Sequence, residues 1–190
     1  MTTFELIQKR RTIRKFAQTP LKQEQLLRYI DCARLAPSGM NLQPLKYAAV
    51  CASETVEKIF PMLKWAGYLA PEYDPKEGER PTGYIVVCAD TSIRKAGYEA
   101  DVGAAVENII LAALEEGVGS CWIGSVDRPA LKALLNLPEE IAITHVVALG
   151  YPAEDPKEAA VEDGNIKYYL ENGTLMVPKR AREEVLLAVK

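Results

Sequence analysis

Apolar and polar positions along this chain fall into alternating helical and strand-like periods. Thr2 and Glu5 form a capping-box pair, with Phe4, Leu6 and Ile7 in the same turn, which predicts a short first helix running into a basic cluster. Thr19 followed by Pro20 reads as an N-cap and first helical position. Leu26, Leu27, Ile30, Ala33 and Leu35 then give an apolar stripe to about Ala36, where Pro37-Ser38-Gly39 stops it. Tyr47 to Ala52 is a first strand, and Ser53 to Leu63 a further helix. Gly67 to Thr82, with Pro71, Pro75, Gly78 and Pro81, reads as a mobile surface loop. Tyr84 to Ala89 is a second, buried strand. The clearest helix is Asp101 to Glu116. Val102, Val106, Ile109, Ile110 and Ala113 recur at helical spacing, while Gly103, Ala104, Ala105 and Ala112 keep the other faces small, so this helix is buried or packs closely on a partner. Ser120 to Gly124 is a third strand, Pro129 to Leu135 a short helix, and Ile141 to Leu149 a fourth strand closed by Gly150-Tyr151-Pro152. Residues 153–190 are polar with few core positions, and are expected to lie across another surface such as a second subunit. Helices and strands mix without strict alternation, which predicts a single α+β domain over 1–190 with one central sheet.

Composition narrows the function. A chain of 190 residues that is 48% hydrophobic suits one globular domain. A net charge of -3, with no basic stripe interleaved with aromatics, gives no field for nucleic acid or an anionic membrane. No apolar run reaches membrane-spanning length and no secretory h-region follows Met1, so a cytoplasmic location is expected. Cys32, Cys51, Cys88 and Cys121 show no C-x-x-C spacing, and each sits among apolar neighbours as a buried thiol. His145 is the only histidine and has no cluster of carboxylates around it, and no G-x-S-x-G, Walker or H-E-x-x-H pattern is present. Hydrolase and metalloenzyme readings therefore have no residues to rest on.

Three segments carry candidate chemistry. Arg10, Arg11 and Arg14 place permanently charged planar forks where a helix ends, which suits a phosphate; if helix persisted, Arg10 and Arg14 would share a face. Pro37-Ser38-Gly39-Met40-Asn41-Leu42-Gln43-Pro44 joins backbone freedom to three polar side chains able to meet the edge of a heteroaromatic ring. Gly117-Val118-Gly119-Ser120-Cys121-Trp122-Ile123-Gly124 is no dinucleotide fingerprint, since it runs from helix to strand, yet Gly124 at a strand end lets a flat ligand approach backbone. Each also has an ordinary structural reading: a solvated basic helix end, a helix-to-strand turn, and a C-cap glycine before a core strand.

In this order the segments resemble the nitroreductase family. Arg10-Arg11-Thr12-Ile13-Arg14-Lys15-Phe16 resembles its R-R-S-x-R-x-F signature, and Ala36 to Pro44 its A-P-S-x-x-N-x-Q-P loop. Asp101, Gly103 and Asn108, running on to Gly119-Ser120-Cys121-Trp122-Ile123-Gly124, resemble its long central helix and following strand. Ala148 to Pro152 resembles its terminal strand, and Val177-Pro178-Lys179-Arg180 its C-terminal basic element.

The resemblance implies an intertwined homodimer with a mostly antiparallel or mixed central sheet flanked by helices, residues 153–190 wrapping the partner, and FMN at the dimer interface. It assigns Arg10, Arg11, Thr12, Arg14, Lys179 and Arg180 to the FMN phosphate and ribityl region. It sets Pro37, Ser38, Gly39, Met40, Asn41 and Gln43 against the flavin from the other subunit, and Trp122, Ile123 and Gly124 beside the ring. Larger members carry a glutamate at the position of Ile123, so the ring's surroundings here are less polar. The implied activity is electron transfer from NADH or NADPH to a small organic acceptor such as a nitroaromatic, quinone or enone, by ping-pong kinetics and without a catalytic side chain. The alternative is a protein of the same fold that holds flavin without turnover.

Overall fold

The computed structural model describes residues 1–190. Its helices are α1 (Thr3–Lys9), α2 (Gln23–Ala33), α3 (Ser53–Ile59), α4 (Glu99–Glu115), α5 (Arg128–Leu134) and α6 (Arg182–Val185). Its strands are β1 (Leu45–Val50), β2 (Gly83–Asp90), β3 (Gly119–Ile123), β4 (Ile141–Gly150), β5 (Lys157–Ala160), β6 (Tyr169–Glu171) and β7 (Thr174–Lys179). The first four strands form one sheet in the order β1-β2-β4-β3, with every neighbouring pair antiparallel. No helix is long and apolar enough to cross a membrane.

Strand alternation divides the core in two. Tyr84, Val86 and Cys88 of β2 face a cluster containing Phe16, Ile59, Leu131 and Leu175. Ile85 and Val87 face the opposite way, onto Leu26 and Tyr29 of α2 and Val106 and Ile109 of α4. Because β2 is covered on both faces, it reads as a continuous apolar run and its extent is legible from sequence. Helices α2 and α4 are clasped by Glu116, whose carboxylate accepts from Arg28 Nε (2.9 Å), the Tyr29 hydroxyl (2.9 Å) and Gln25 Nε2 (3.2 Å). Burial, together with this carboxylate, pushes the Tyr29 hydroxyl up.

Several expectations shift. Helix α2 begins at Gln23, not at Pro20, because Leu21 is delivered into the second core cluster by extended chain, and the cap is made when the Lys22 amide donates to Gln25 Oε1 at 3.0 Å. It stops at Ala33, short of Ala36, since the residue before Pro37 is pushed out of the helical region. Strand β1 starts two residues before Tyr47. The helix from Ser53 gives way after Ile59 to one tight turn, Phe60–Met62, carrying Pro61. Cys32 and Cys51 are only half-buried, whereas burial pushes the Cys88 thiol up to about 12 and the Cys121 thiol up to about 11.

One segment packs where a mobile loop is expected, and the C-terminal stretch forms structure of its own. The 67–82 stretch, read as a mobile loop, buries Tyr73, Pro75 and Pro81, and the Tyr73 hydroxyl donates to the Glu154 carboxylate. Residues 153–190, expected to have few core positions, hold strands of their own. Strands β5, β7 and β6 form their own sheet in that order, with β5 parallel and β6 antiparallel to β7, and Leu175 is buried in the first core cluster. Strands of three to six residues exposed on one side leave too little apolar period to be read in advance. Much of this stretch is nevertheless exposed, including Ile166 and all of β6, and the last residues are uncovered, with Leu187 99% exposed.

Candidate functional site

The first candidate segment is extended, not helical. Helix α1 ends at Lys9, and Arg10 (φ -56, ψ 127) turns the chain along β3. Thr12 bridges Ser120 in parallel, the Ile13 amide donates to the Ser120 carbonyl at 2.8 Å, and the Ala17 amide donates to the Tyr151 carbonyl at 2.8 Å. Arg10 and Arg14 therefore share no helical face. Two glycines make this close approach feasible: a Cβ at Gly119 would stand 2.7 Å from Ile13 Cγ1, and one at Gly150 would stand 2.9 Å from Phe16 Cδ1. Glu154 adds a carboxylate that accepts from the Arg14 amide and, at 3.1 Å, from the Lys15 amide.

The three arginines differ sharply in what they already hold. Arg11 donates to the carbonyls of Gln8 (2.9 Å) and Arg10 (2.6 Å), and its other terminal nitrogen pairs with Glu158 at 2.6 Å. Arg10 Nε stands 3.5 Å from Glu107 on α4. Arg14 has no ion pair, and its Nε is buried with no hydrogen-bond partner. Its guanidinium lies 4.8 Å from the centre of the Tyr168 ring. The charge also reaches β3: burial pushes the Cys121 thiol up, and Arg14 works against that rise.

Strand β3 is an edge strand, and beyond the Thr12–Ser120 bridge its outer edge has no main-chain partner. Open strand edges present a row of amides and carbonyls to whatever comes alongside. Trp122 is 40% exposed there, Ile123 is buried, and Gly124 is exposed. The Trp122 ring meets His145 edge-on at 5.4 Å, and a Cβ at Gly124 would stand 3.3 Å from His145 Cδ2, a tight contact that a side chain there would have to push aside. Arg128 staples this corner, donating to the carbonyls of Ile143 (3.0 Å), Thr144 (2.7 Å) and Gly124 (3.0 Å). Those bonds span a register shift in β4 opposite Val87 and Cys88, an irregularity of the kind that re-aims side chains near sites. Burial, then the Arg128 charge, lowers the His145 pKa, which favours the neutral imidazole.

The 37–43 loop is built on the first turn of α4. Asp101, only 5% exposed, accepts from the Ser38 hydroxyl (2.6 Å) and the Gly39 amide (3.2 Å), with Arg94 Nη1 at 3.7 Å. Burial alone would raise the Asp101 pKa, but Ser38, Gly39 and Arg94 together hold it below the usual value. Ser38 Oγ in turn accepts from the Gln43 amide at 2.9 Å. This scaffold holds three non-glycine residues at positive φ: Met40 (54°), Asn41 (55°) and Gln43 (51°). Such backbone costs on the order of 1–3 kcal/mol per residue and persists where surrounding bonds over-determine it. Its outcome is a projecting tip, with Met40 91% exposed.

Within one chain these residues gather into separate patches. Arg10, Arg11, Thr12 and Arg14 lie with the β3 edge. Pro37 to Gln43 lie at the N-terminal end of α4 and make no hydrogen bond or ion pair to the first group. Asp101 and Glu107, which hold one member of each patch, are six residues apart on α4, about 9 Å along the axis. Lys179 and Arg180 are exposed at the end of β7 beside Glu158 to Val161, with Arg180 paired to Glu184 at 3.3 Å. They make no hydrogen bond or ion pair with Arg10 or Arg14, and Glu158, which lies beside them, pairs with Arg11.

The "Nitroreductase family" model matches residues 7–151, more than half of the chain and every segment of the first two patches. The chain belongs to the nitroreductase family. A protein of Archaeoglobus fulgidus named "Putative NADH dehydrogenase/NAD(P)H nitroreductase" is 35% identical over 80% of this chain and 86% of its own length. An "FMN-dependent Nitroreductase" from Clostridium difficile R20291 superposes with a TM-score of 0.68 at 25% identity, over 84% of this chain and 92% of that one. A Desulfovibrio desulfuricans nitroreductase structure in complex with FMN aligns over 100% of this chain and 98% of its own, with a TM-score of 0.74. At 20% identity that likeness shows the fold alone, and it extends through the C-terminal sheet.

Within this nitroreductase-family fold, four residues that hold the patches in place escaped the motif reading. Asp101 was visible as part of the helix match but without a role. Glu154, Tyr168 and Arg128 reach their partners only through tertiary packing, Glu154 across 140 residues to Arg14. No spacing rule along the chain gives such contacts.

Proposed function

We propose that this chain binds FMN and passes electrons from NADH or NADPH to a small organic acceptor, acting as a homodimer. Arg14 carries the reading. Among the three N-terminal arginines it alone lacks a carboxylate or carbonyl partner, and it stands beside the unpaired edge of β3. A buried, unpartnered guanidinium nitrogen calls for an anion or acceptor. The open backbone leading to exposed Gly124 gives a flat ring main-chain groups to meet. These features fit FMN, which has an anionic tail and a planar ring with polar edges. Arg10 and Thr12 flank the same approach, while Arg11 serves mainly to lock the segment to β5.

When bound, FMN supplies the hydride-transfer chemistry. Arg14 would supply a fixed positive charge to the bound cofactor, where it would favour the added negative charge of the reduced form without reorganisation. Hydride transfer requires no side-chain acid or base, and none is assigned. Donor and acceptor take turns on one exposed face, so double-reciprocal plots at several donor concentrations should be parallel.

The homodimer reading rests on the two patches. The loop tip at Met40 to Gln43 projects from one face, while Arg14 and the β3 edge offer the complementary half elsewhere. Phe4 and Ile7 of α1 are exposed next to α4, whose outward side carries Gly103 with open space around it. Apolar surface of this kind marks association. The uncovered C-terminal residues around Leu187 are assigned to the same partner.

Purified protein is expected to be yellow. Under strictly anaerobic conditions its visible flavin band should bleach with NADH or NADPH and return when a quinone or nitroaromatic is added. Protein that binds FMN yet bleaches with neither nucleotide would make it a flavin-holding protein, and failure to bind FMN at all would remove both readings.

A further inference from the structure

Arg14 is exceptional in being half-buried, unpaired and yet well placed, so something other than an anion must hold it. Its backbone is pinned by Glu154, but the side chain is met by a ring: Tyr168 lies under the guanidinium at 4.8 Å. Guanidinium stacked on an aromatic face keeps its in-plane N–H groups free to point outward. Tyr168 itself is fixed from behind. Its hydroxyl accepts from the Tyr68 amide at 3.2 Å, the two tyrosine rings lie 4.9 Å apart, and Lys167 Nζ caps the Tyr68 ring at 5.8 Å. The result is a row of cation, ring, ring and cation, with the two rings tilted at 49° to each other. It joins the N-terminal arginine segment, the packed 67–82 stretch and the chain just before β6.

We propose that Tyr168 is a positioning residue for the cofactor site: its ring holds the Arg14 guanidinium flat against the β3 edge with its N–H groups free for an anionic or acceptor-rich ligand. The proposal rests on the reading that Arg14 binds FMN. It gives the C-terminal sheet a part in cofactor binding that does not depend on Lys179 or Arg180. Arg11, tied to Glu158 of β5 at 2.6 Å, anchors the same segment to the same sheet from the other side.

The test is FMN affinity of the apo-protein, by quenching of flavin fluorescence, in Tyr168→Leu, Tyr168→Phe, Arg14→Ala and the Tyr168→Leu/Arg14→Ala pair. Tyr168→Leu should weaken binding by about two- to thirtyfold, the range for a stacked cation of this kind. Tyr168→Phe, which keeps the ring, should stay within about twofold of wild type. In the Arg14→Ala background, loss of Tyr168 should add nothing. If Tyr168→Leu fails to fold, Tyr168→Met, which keeps bulk without a ring face, takes its place. Equal losses with and without Arg14, or no loss in Tyr168→Leu, would overturn the proposal and leave the reading of Arg14 standing. Unchanged affinity in Arg14→Ala alone would remove that reading first, and the proposal with it.

Discussion

Arg14→Ala is expected to weaken FMN binding by about ten- to a hundredfold while shifting the thermal midpoint by only a few degrees. The loss follows from one charged hydrogen bond at about 1.5–3 kcal/mol, with tenfold in affinity for each 1.4 kcal/mol. The small effect on folding follows from what Arg14 lacks: it has no ion pair to lose, and truncation removes a buried unpaired nitrogen. Arg11→Ala should behave in the opposite way. Its guanidinium is committed to Gln8, Arg10 and Glu158, so its removal should lower stability more than it lowers the intrinsic affinity for FMN. Fluorescence titration of the apo-proteins with FMN, beside thermal unfolding of the same samples, separates the two. Wild-type affinity in Arg14→Ala would contradict the assignment.

Phe16→Ala should produce the largest loss of stability among substitutions near the site. The ring is 0% exposed, packs in the cluster with Tyr84, Leu131 and Leu175, and lies against Gly150, where even a methyl group would not fit beside it. Emptying such a site costs on the order of 3–5 kcal/mol, which for a chain of this size lowers the midpoint by about 6–20 °C. Phe16 also closes the extended segment that begins at Arg10, bridging to Pro152. Its loss should therefore weaken FMN binding as well, unlike truncation of an equally buried residue of the other core cluster, such as Leu26. A calorimetric midpoint within about 3 °C of wild type would show that the segment is not held by this ring.

The legible parts of the fold were those where one element carries its own signal. Strand β2 and helix α4 are buried on most sides, so their apolar runs mark them almost to the residue. The start of α2 departs from the local signal because Thr19-Pro20 is an excellent helix entry, and only tertiary packing of Leu21 keeps it extended. The C-terminal sheet was missed because each of its strands is short and half-exposed, and its stability comes from Leu175 reaching a core assembled elsewhere. For the site, the motifs placed Arg14, Ser38 and Gly124 in candidate positions but ranked the three arginines alike. What separates them is that Glu107 and Glu158 pair with the guanidinium groups of two, while the third has no carboxylate paired with its guanidinium. That distinction depends on chain segments roughly a hundred residues or more apart and has no counterpart in local spacing. The strained loop tells the same story: Asn41 and Gln43 were expected at the site, yet Asp101, whose bonds hold Ser38 and Gly39 at the base of that loop, lies on another element.

The central claim is that each flavin site takes Arg14 and the β3 edge from one chain and the Ser38–Gln43 loop from another. A mixed dimer tests it most directly. One chain carries Arg14→Ala, the other Asn41→Ala with Gln43→Ala, and the two are co-expressed with different tags and purified as the heterodimer. Tight-site stoichiometry is then read by FMN titration. A site shared between chains leaves one intact pairing and one doubly damaged, so the heterodimer should bind one FMN tightly per two chains although neither parent homodimer does. No tight FMN in the heterodimer would mean that both groups serve a site within a single chain, and would contradict the account.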